Sequence, residues 1–119
     1  MYEIKVKANF SSAHNLRNYR GKCEHLHGHN WAVEAVFVYR KLDKDGMALD
    51  FKAARKMLGD ILERLDHSYL NEIGDFKKLN PTSENIAGWI YGEMKKVCPQ
   101  TASVSVWENE NSCATYRED

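Results

Sequence analysis

Three histidines near a cysteine are the residues of this chain whose types and spacing could bind a metal. His14 follows an alternating apolar run, and His27 and His29 begin a second run, with Cys23 four residues before His27. Three neutral imidazoles can hold zinc and leave a fourth position free for water or a substrate, as catalytic zinc sites require. The sequence therefore predicts a zinc site made by these three histidines.

Strand periodicity predicts that the three imidazoles lie on the same side of a sheet. The apolar residues of the first predicted strand, 2–10, continue in steps of two to His14, and those of the second strand continue backwards to His29 and His27. Alternate side chains of a strand project to the same side. His25 has the same parity and could replace one of the three ligands.

Glu108 follows a later alternating run and has the parity of its inward-facing residues. Val104 and Val106 precede it in steps of two. A buried carboxylate without a partner costs several kcal/mol or takes up a proton. Glu108 is therefore predicted either to be paired within the protein or to hydrogen-bond to a ligand.

Other polar residues have both a functional and a structural interpretation. A thiol beside a cation ionises readily and can act as a base or nucleophile, but Cys23 could also complete a closed structural zinc site or be an inert surface thiol. Asp66 and His67 could form only a helix-end cap with a favourable dipole contact. The basic side chains of the loop at 17–22 could attract phosphate or simply be solvated.

Hydrophobic periodicity predicts an α+β domain over residues 1–119 with the element order β-β-α-α-β-β. Asp50 is the expected cap of the first helix, which should end near Asp66, and the second helix should begin after 81–83 and end before Pro99. The two helices are inserted between strands 2 and 3 of a four-stranded antiparallel sheet and pack on one face. The residues expected to face inward are Phe51, Ala54, Leu58, Ile61, Leu62, Leu65, Ile86, Ala87, Ile90, Met94 and Val97.

Composition limits the partners that the chain is expected to have. Lysine plus arginine number 17 and aspartate plus glutamate also number 17, so no global field attracts nucleic acid or an anionic membrane. The charged, alternating start is unlike a signal peptide, and three cysteines form an odd set without paired spacing. We therefore expect a cytoplasmic protein with reduced thiols, no nucleic-acid partner and no membrane partner.

These motifs together resemble the 6-pyruvoyl-tetrahydropterin synthase and 6-carboxytetrahydropterin synthase family, which has the tunnelling fold. The resemblance implies zinc bound by the three histidines, Cys23 as the proton-abstracting base, Asp66 and His67 as a proton relay, and Glu108 as the anchor of the pterin. The motifs that carry it are Phe10-Ser-Ser-Ala-His14, Cys23-Glu-His-Leu-His27-Gly-His29-Asn30, Leu65-Asp-His67, Leu70-Asn71, Pro81-Thr-Ser-Glu-Asn85 and Glu108.

The resemblance also implies a substrate, a product and an assembly. The expected substrate is 7,8-dihydroneopterin triphosphate, contacted by a loop at Thr82, Ser83 and Glu84. The expected products are 6-carboxy-5,6,7,8-tetrahydropterin, acetaldehyde and triphosphate, an early step towards 7-deazaguanine compounds such as queuosine. Family members are homo-oligomers whose sheets join edge to edge, and a hexamer built as a dimer of trimers is expected.

Glu24 leaves the product open. Within the family, cysteine at this motif is associated with pyruvoyl or carboxy products, and glutamate with release of 6-hydroxymethyl-dihydropterin for folate synthesis. This chain carries both Cys23 and Glu24. The alternatives to the carboxypterin synthase are therefore a 6-pyruvoyl-tetrahydropterin synthase, an aldolase that uses Glu24, and a non-catalytic zinc module in which Cys23 is the fourth ligand. A dioxygenase barrel fits less well, because two long helices occupy the place of strands.

Overall fold

A five-stranded mixed sheet covered by two helices forms the fold in the computed structural model, which describes residues 1–21 and 24–119. The sheet order is β3-β1-β2-β4-β5, in which β3 is parallel to β1 and the other neighbours are antiparallel. The elements are β1 (Tyr2–His14), β2 (His27–Tyr39), α1 (Phe51–Glu63), β3 (Ser68–Tyr69), α2 (Ser83–Val97), β4 (Thr101–Asn109) and β5 (Ser112–Arg117), with short 3-10 helices at Leu70–Glu72 and Gly74–Lys77.

The α+β class is confirmed, whereas the prediction of four antiparallel strands is wrong. The additional strand, β3, has two residues and pairs in parallel with Ser12 and Ala13 of β1. A two-residue strand has no alternating pattern, so periodicity cannot reveal it. It forms because the chain reverses after α1 at His67, whose φ of 52° is left-handed, and returns along the edge of β1.

α1 begins after its expected cap, Asp50, and α2 begins at Ser83, within the stretch after which it was expected, with Thr82 as its cap. The Asp50 side chain accepts a hydrogen bond from the Lys52 N–H at 2.9 Å, and the Thr82 side chain accepts one from the Asn85 N–H at 3.1 Å. These bonds satisfy N–H groups that have no partner within the first turn. α1 ends at Glu63, slightly earlier than expected, and α2 ends before Pro99 as predicted.

The core lies between one face of the sheet and the two helices. Phe10 and Trp31 stack at its centre, with ring centroids 5.7 Å apart, and both are almost fully buried. Phe51 and Val97 were expected to face inward but are 55% and 56% exposed. They are the first residue of α1 and the last of α2, at the margins of the apolar stripes. No helix in the described ranges is long and apolar enough to span a membrane.

Candidate metal and substrate site

The pairing of β1 with β2 brings the three histidines together. His14 lies directly opposite His27 in the antiparallel register, and Ser12 lies opposite His29. Side chains opposite each other on one face of a sheet have Cβ atoms about 5 Å apart, and the next residue of equal parity is within reach. One ring nitrogen from each histidine therefore converges on a common point, and these nitrogens all lie within 4.8 Å of one another.

Two of the rings are oriented by hydrogen bonds from their Nδ1 atoms, so that their Nε2 atoms face the point where the three histidines converge. Nδ1 of His14 lies 2.8 Å from the Pro81 carbonyl oxygen, and Nδ1 of His27 lies 2.9 Å from the His25 carbonyl oxygen. A neutral ring whose Nδ1–H donates to a carbonyl has its lone pair on Nε2. The Nε2 atoms of His14 and His27 are 3.1 Å apart, so two lone pairs face each other. Such an arrangement is favourable when a cation lies between them.

The third imidazole supports the same conclusion. Nε2 of His29 is buried and has no hydrogen-bond partner among the described residues. Tetrahedral zinc with Zn–N bonds of 2.0–2.1 Å places its nitrogen ligands about 3.3 Å apart, close to the separation of the His14 and His27 nitrogens. The donor set, its spacing and the buried nitrogen without a partner all fit zinc.

Burial favours the neutral form of His14, the form that a metal ligand needs. The side chain of His14 is 1% exposed, with the Trp31 ring 4.8 Å away. Burial is the largest influence on His14 and lowers its pKa, and the hydrogen bond to Pro81 opposes this shift. The neutral imidazole is therefore favoured, and only a neutral imidazole offers a lone pair to a metal.

Glu108 lies beside the three histidines. Its Oε1 is 3.7 Å from Nε2 of His14 and its Oε2 is 3.8 Å from Nε2 of His29, while the Ser83 hydroxyl donates to Oε1 at 3.4 Å. The carboxylate is 32% exposed and can receive further donors from a ligand.

Two cavities meet at Glu108, Ser83 and Glu84. The larger, of about 490 Å³, extends towards the loop after β1, and the smaller, of about 200 Å³, extends towards the β4–β5 hairpin. Thr82 also lines the larger cavity, although its hydroxyl is occupied as the cap of α2. The four residues expected to contact substrate therefore border the larger cavity, and one of them, Glu108, also lies beside the histidines.

Glu24 supports the loop that precedes β2. Its Oε1 accepts a hydrogen bond from the Leu16 N–H at 3.1 Å, and its own N–H donates to the Leu16 carbonyl at 2.9 Å. The same oxygen is 3.7 Å from Nδ1 of His27. Cys23, the predicted base, lies outside the described residues. The side chain of His25 is exposed, and only its carbonyl takes part in the site, through His27.

Asp66 and His67 form a separate pair at the edge of β1. The Asp66 Oδ2 is 2.9 Å from the His67 Nδ1, and the Asp66 Oδ1 accepts the Ser11 N–H at 2.8 Å. The hydrogen bond from Ser11 is the largest cause that lowers the pKa of Asp66, and the charge of His67 acts in the same direction. The His67 side chain is 84% exposed. Within the described ranges, no hydrogen bond or ion pair joins this pair to the three histidines.

Comparison with known proteins identifies the family. The family model described as 6-pyruvoyl tetrahydropterin synthase matches residues 3–119. The chain belongs to the 6-pyruvoyl tetrahydropterin synthase family. The resemblance inferred from the motifs is thereby confirmed, and the chain is a member of a family of pterin lyases.

Sequence identity and structural similarity to individual family members are as follows. The 6-carboxy-5,6,7,8-tetrahydropterin synthase of Synechocystis sp. is 34% identical over 122 residues, covering 98% of this chain and 93% of the relative. The dihydroneopterin monophosphate aldolase of Pyrococcus furiosus is 36% identical over 108 residues, covering 88% of each. The structure of the Caenorhabditis elegans 6-pyruvoyl tetrahydropterin synthase has a TM-score of 0.86 at 22% identity, covering 99% of this chain and 96% of the other. That likeness establishes the fold.

Sequence reasoning missed the contacts that hold the histidines from outside. The Pro81 carbonyl, which receives the His14 Nδ1–H, belongs to a motif interpreted only as a substrate loop. The hydrogen bonds of Asn71 and Asn80 to the backbone of the loop after β1 were not anticipated either. Leu70-Asn71 belonged to the family motifs, but the spacing of residues does not reveal which carbonyl a distant side chain will reach.

Proposed function

We propose that this chain is a zinc-dependent lyase that converts 7,8-dihydroneopterin triphosphate to 6-carboxy-5,6,7,8-tetrahydropterin and releases acetaldehyde and triphosphate. The observation that carries the proposal is the convergence of three imidazole nitrogens, two of them with facing lone pairs, beside a part-exposed carboxylate. Membership of the pterin lyase family and the 34% identity to a 6-carboxy-5,6,7,8-tetrahydropterin synthase support this reaction.

His14, His27 and His29 would hold the zinc ion. A bound zinc acts as a Lewis acid on substrate oxygen atoms and so makes an adjacent C–H proton easier to remove. The protein contributes rigidity to this site, since its ligands lie on two long paired strands and two of the rings are fixed by carbonyl hydrogen bonds. A preorganised ligand set does not have to reorder when the metal binds.

Glu108 would orient the pterin through hydrogen bonds from the amino and ring N–H groups to its two oxygens. Ser83 already donates to one of these oxygens and so steadies the carboxylate at the junction of the two cavities. Thr82 and Glu84 would border the bound substrate. The pterin would then lie next to the histidines, and its side chain would reach the nitrogens proposed to bind the metal.

Cys23 would remove the proton from the substrate side chain as the general base, and Asp66 with His67 would return or shuttle protons. Positioned acid–base groups contribute typically 10²–10⁴-fold to a rate. Asp66 holds His67 through its Nδ1, which leaves the Nε2 of an exposed ring to exchange a proton. Since the pair has no contact with the histidines in the described part of one chain, we propose that it serves the site of a neighbouring copy.

Such sharing requires a homo-oligomer. We propose that each chain forms one tunnelling-fold domain over residues 1–119 and that six chains assemble into a hexamer, built as a dimer of trimers. In the described ranges, β3 covers the outer edge of β1 only at Ser12 and Ala13, and β5 is an edge strand. Open strand edges pair readily with other strands. Light scattering coupled to gel filtration should give a mass six times that of the chain, and a monomer would contradict this part of the proposal.

Mass spectrometry of the products tests the reaction. Zinc-loaded protein incubated with 7,8-dihydroneopterin triphosphate should yield the carboxypterin and acetaldehyde. The matched control is the Cys23→Ala variant, which should keep its zinc and lose about 10²–10⁴-fold in turnover. A pyruvoyl product without aldehyde would instead assign the chain as a 6-pyruvoyl-tetrahydropterin synthase.

The second candidate is an aldolase that forms 6-hydroxymethyl-dihydropterin and uses Glu24. The 36% identity to the dihydroneopterin monophosphate aldolase of Pyrococcus furiosus favours it. Against it, the Glu24 carboxylate accepts the Leu16 N–H and thereby holds the loop. Release of glycolaldehyde triphosphate from the triphosphate substrate, or of glycolaldehyde phosphate from the monophosphate, would establish the aldolase if it is abolished in Glu24→Gln but not in Cys23→Ala.

A non-catalytic zinc module is the remaining alternative. In such a module Cys23 is the fourth ligand, and the Cys23→Ala variant should lose both zinc and stability because metal binding and folding are coupled. Retention of zinc by this variant excludes the module. The measurement is zinc content together with the thermal unfolding midpoint.

A further inference from the structure

Arg17 lies in the basic loop after β1, yet its guanidinium is occupied by the protein's own carbonyl groups. Nη2 donates to the carbonyl oxygens of Phe76 at 2.7 Å and Asn71 at 3.1 Å, and Nη1 donates to that of Leu79 at 3.4 Å. A guanidinium presents five N–H donors in a rigid fork and can bind several acceptors at once. Arg17 therefore ties the segment 71–79 to the loop, and although it lines the larger cavity, several of its N–H donors are already bonded to the backbone.

Two asparagine side chains each form a pair of hydrogen bonds with the backbone of the same loop. Asn71 accepts the Asn15 N–H through Oδ1 at 3.0 Å and donates through Nδ2 to the Asn15 carbonyl at 2.8 Å. Asn80 does the same with Arg17, accepting its N–H at 2.8 Å and donating to its carbonyl at 3.2 Å. Each side-chain amide thus satisfies both backbone groups of one loop residue.

These contacts converge on His14 from two sides. Asn15 directly follows His14 in the chain, so its pairing with Asn71 fixes the backbone beside the imidazole. Asn80 directly precedes Pro81, whose carbonyl receives the His14 Nδ1–H at 2.8 Å. The segment that supplies this carbonyl lies outside the sheet and contains two short 3-10 helices.

We propose that Arg17, Asn71 and Asn80 form a clamp that positions the Pro81 carbonyl and thereby holds His14 in its metal-binding orientation. The inference rests on the proposed zinc site. Partners that orient a metal ligand by a hydrogen bond are typically worth 10–100-fold in metal affinity. The clamp residues do not bond to His14 itself but hold the backbone on either side of its contact with Pro81. We therefore expect the loss of each one to lower the zinc affinity by about tenfold. They act as positioning residues, because these side-chain donors and acceptors are bonded to the protein's own backbone. Arg17 and Asn80 also line the larger cavity, so the test measures zinc affinity in the absence of substrate.

Zinc affinity of the intact chain, measured by competition with a chromophoric chelator, tests the clamp. Arg17→Lys keeps the charge but cannot bind three carbonyls in a fork, and Asn80→Ala removes both bonds to the loop. Both variants should bind zinc about tenfold more weakly than the wild type. The matched control is Lys77→Met, which removes a positive charge from an exposed position of the same segment and should not change the affinity.

A second measurement distinguishes positioning from general stability. In the zinc-loaded protein the His14 Nδ1–H should give a slowly exchanging proton signal in NMR, because it is buried and bonded to Pro81. The exchange rate of this proton with solvent should be higher in Arg17→Lys and Asn80→Ala than in the wild type. In Lys77→Met the exchange rate should equal that of the wild type. If Asn80→Ala does not fold, the conservative Arg17→Lys variant alone decides the result.

The outcomes separate the clamp from the reaction. Clamp variants that unfold at lower temperature but keep wild-type zinc affinity and a protected Nδ1–H would overturn the clamp. Weakened zinc binding in these variants would support the clamp, whatever the product of the wild-type protein. If the wild-type protein makes no carboxypterin, the proposed reaction is refuted independently. A wild-type chain that binds no zinc would overturn both.

Discussion

The histidine cluster and the Asp66–His67 pair are both parts of the proposed site, but they are built differently. His14 is 1% exposed and is held by carbonyl hydrogen bonds and by the strands β1 and β2. His67 is 84% exposed and lies at a left-handed turn beside the two-residue strand β3. The cluster is complete within one chain, whereas the pair faces outward from the edge of the sheet.

This difference indicates which parts of the site a single chain can form. A metal site needs several ligands held at fixed distances, and long strands in register provide such distances. A proton-transfer group needs only to be near the substrate, and it can be supplied by another copy of the chain. The contrast is therefore between metal binding, which one chain should accomplish, and turnover, which should require assembly.

The largest effect is expected from His14→Ala, because it removes the most buried of the three proposed zinc ligands. Zinc affinity should fall by more than the roughly 100-fold that loss of an outer partner can cause, and product formation should fall with it. Zinc content after dialysis and chelator competition are the measurements. His25→Ala is the control, since only its backbone carbonyl contacts the site; loss of zinc in this variant would mean that the ligand set is wrong.

Asp66→Asn should separate the two regions. Turnover is expected to fall about 10²–10⁴-fold, the usual worth of an acid–base group, while zinc affinity stays at the wild-type value. Both quantities are measured on the same purified sample. A loss of zinc in Asp66→Asn would show that the pair supports the metal site within one chain.

A mixing experiment sharpens this result. The His14→Ala and Asp66→Asn chains, each inactive alone, should regain part of the activity when they are refolded together, because some sites then receive three histidines from one copy and the intact pair from another. Activity no greater than the sum of the separate variants would contradict a shared site.

The smallest expected effect is on the pH dependence of stability. The Ser11 N–H and the charge of His67 lower the pKa of Asp66 in the folded protein below its ordinary value of 3.8. The ionised carboxylate therefore stabilises the fold above about pH 4, and this contribution is lost as the pH falls through the lowered pKa. Urea unfolding from pH 6 to pH 3 should show the difference between wild type and Asp66→Asn shrinking in acid. If the difference in the free energy of unfolding between wild type and Asp66→Asn does not change with pH, the contact between Asp66 and Ser11 does not depend on the charge of the carboxylate.

Much of the fold and of the candidate site could be predicted from local patterns. Alternation indicated the long strands, and Asp50 and the stretch 81–83 indicated where the helices begin, because these signals are local in the sequence. Parity indicated that His14, His27 and His29 share a face. The strand β3 could not be predicted, since two residues carry no period.

The sequence by itself indicated the three histidines, the face on which they lie and the family to which the chain belongs. Tertiary structure alone decided that His14 stands opposite His27, that Pro81 receives the proton of its Nδ1, and that Arg17 binds carbonyl groups at positions 71–79. The reason is that side-chain parity is a local property of one strand, whereas register depends on how two strands pair. The carbonyl partners of His14 and Arg17 come from segments more than 50 residues away that meet only in the folded chain.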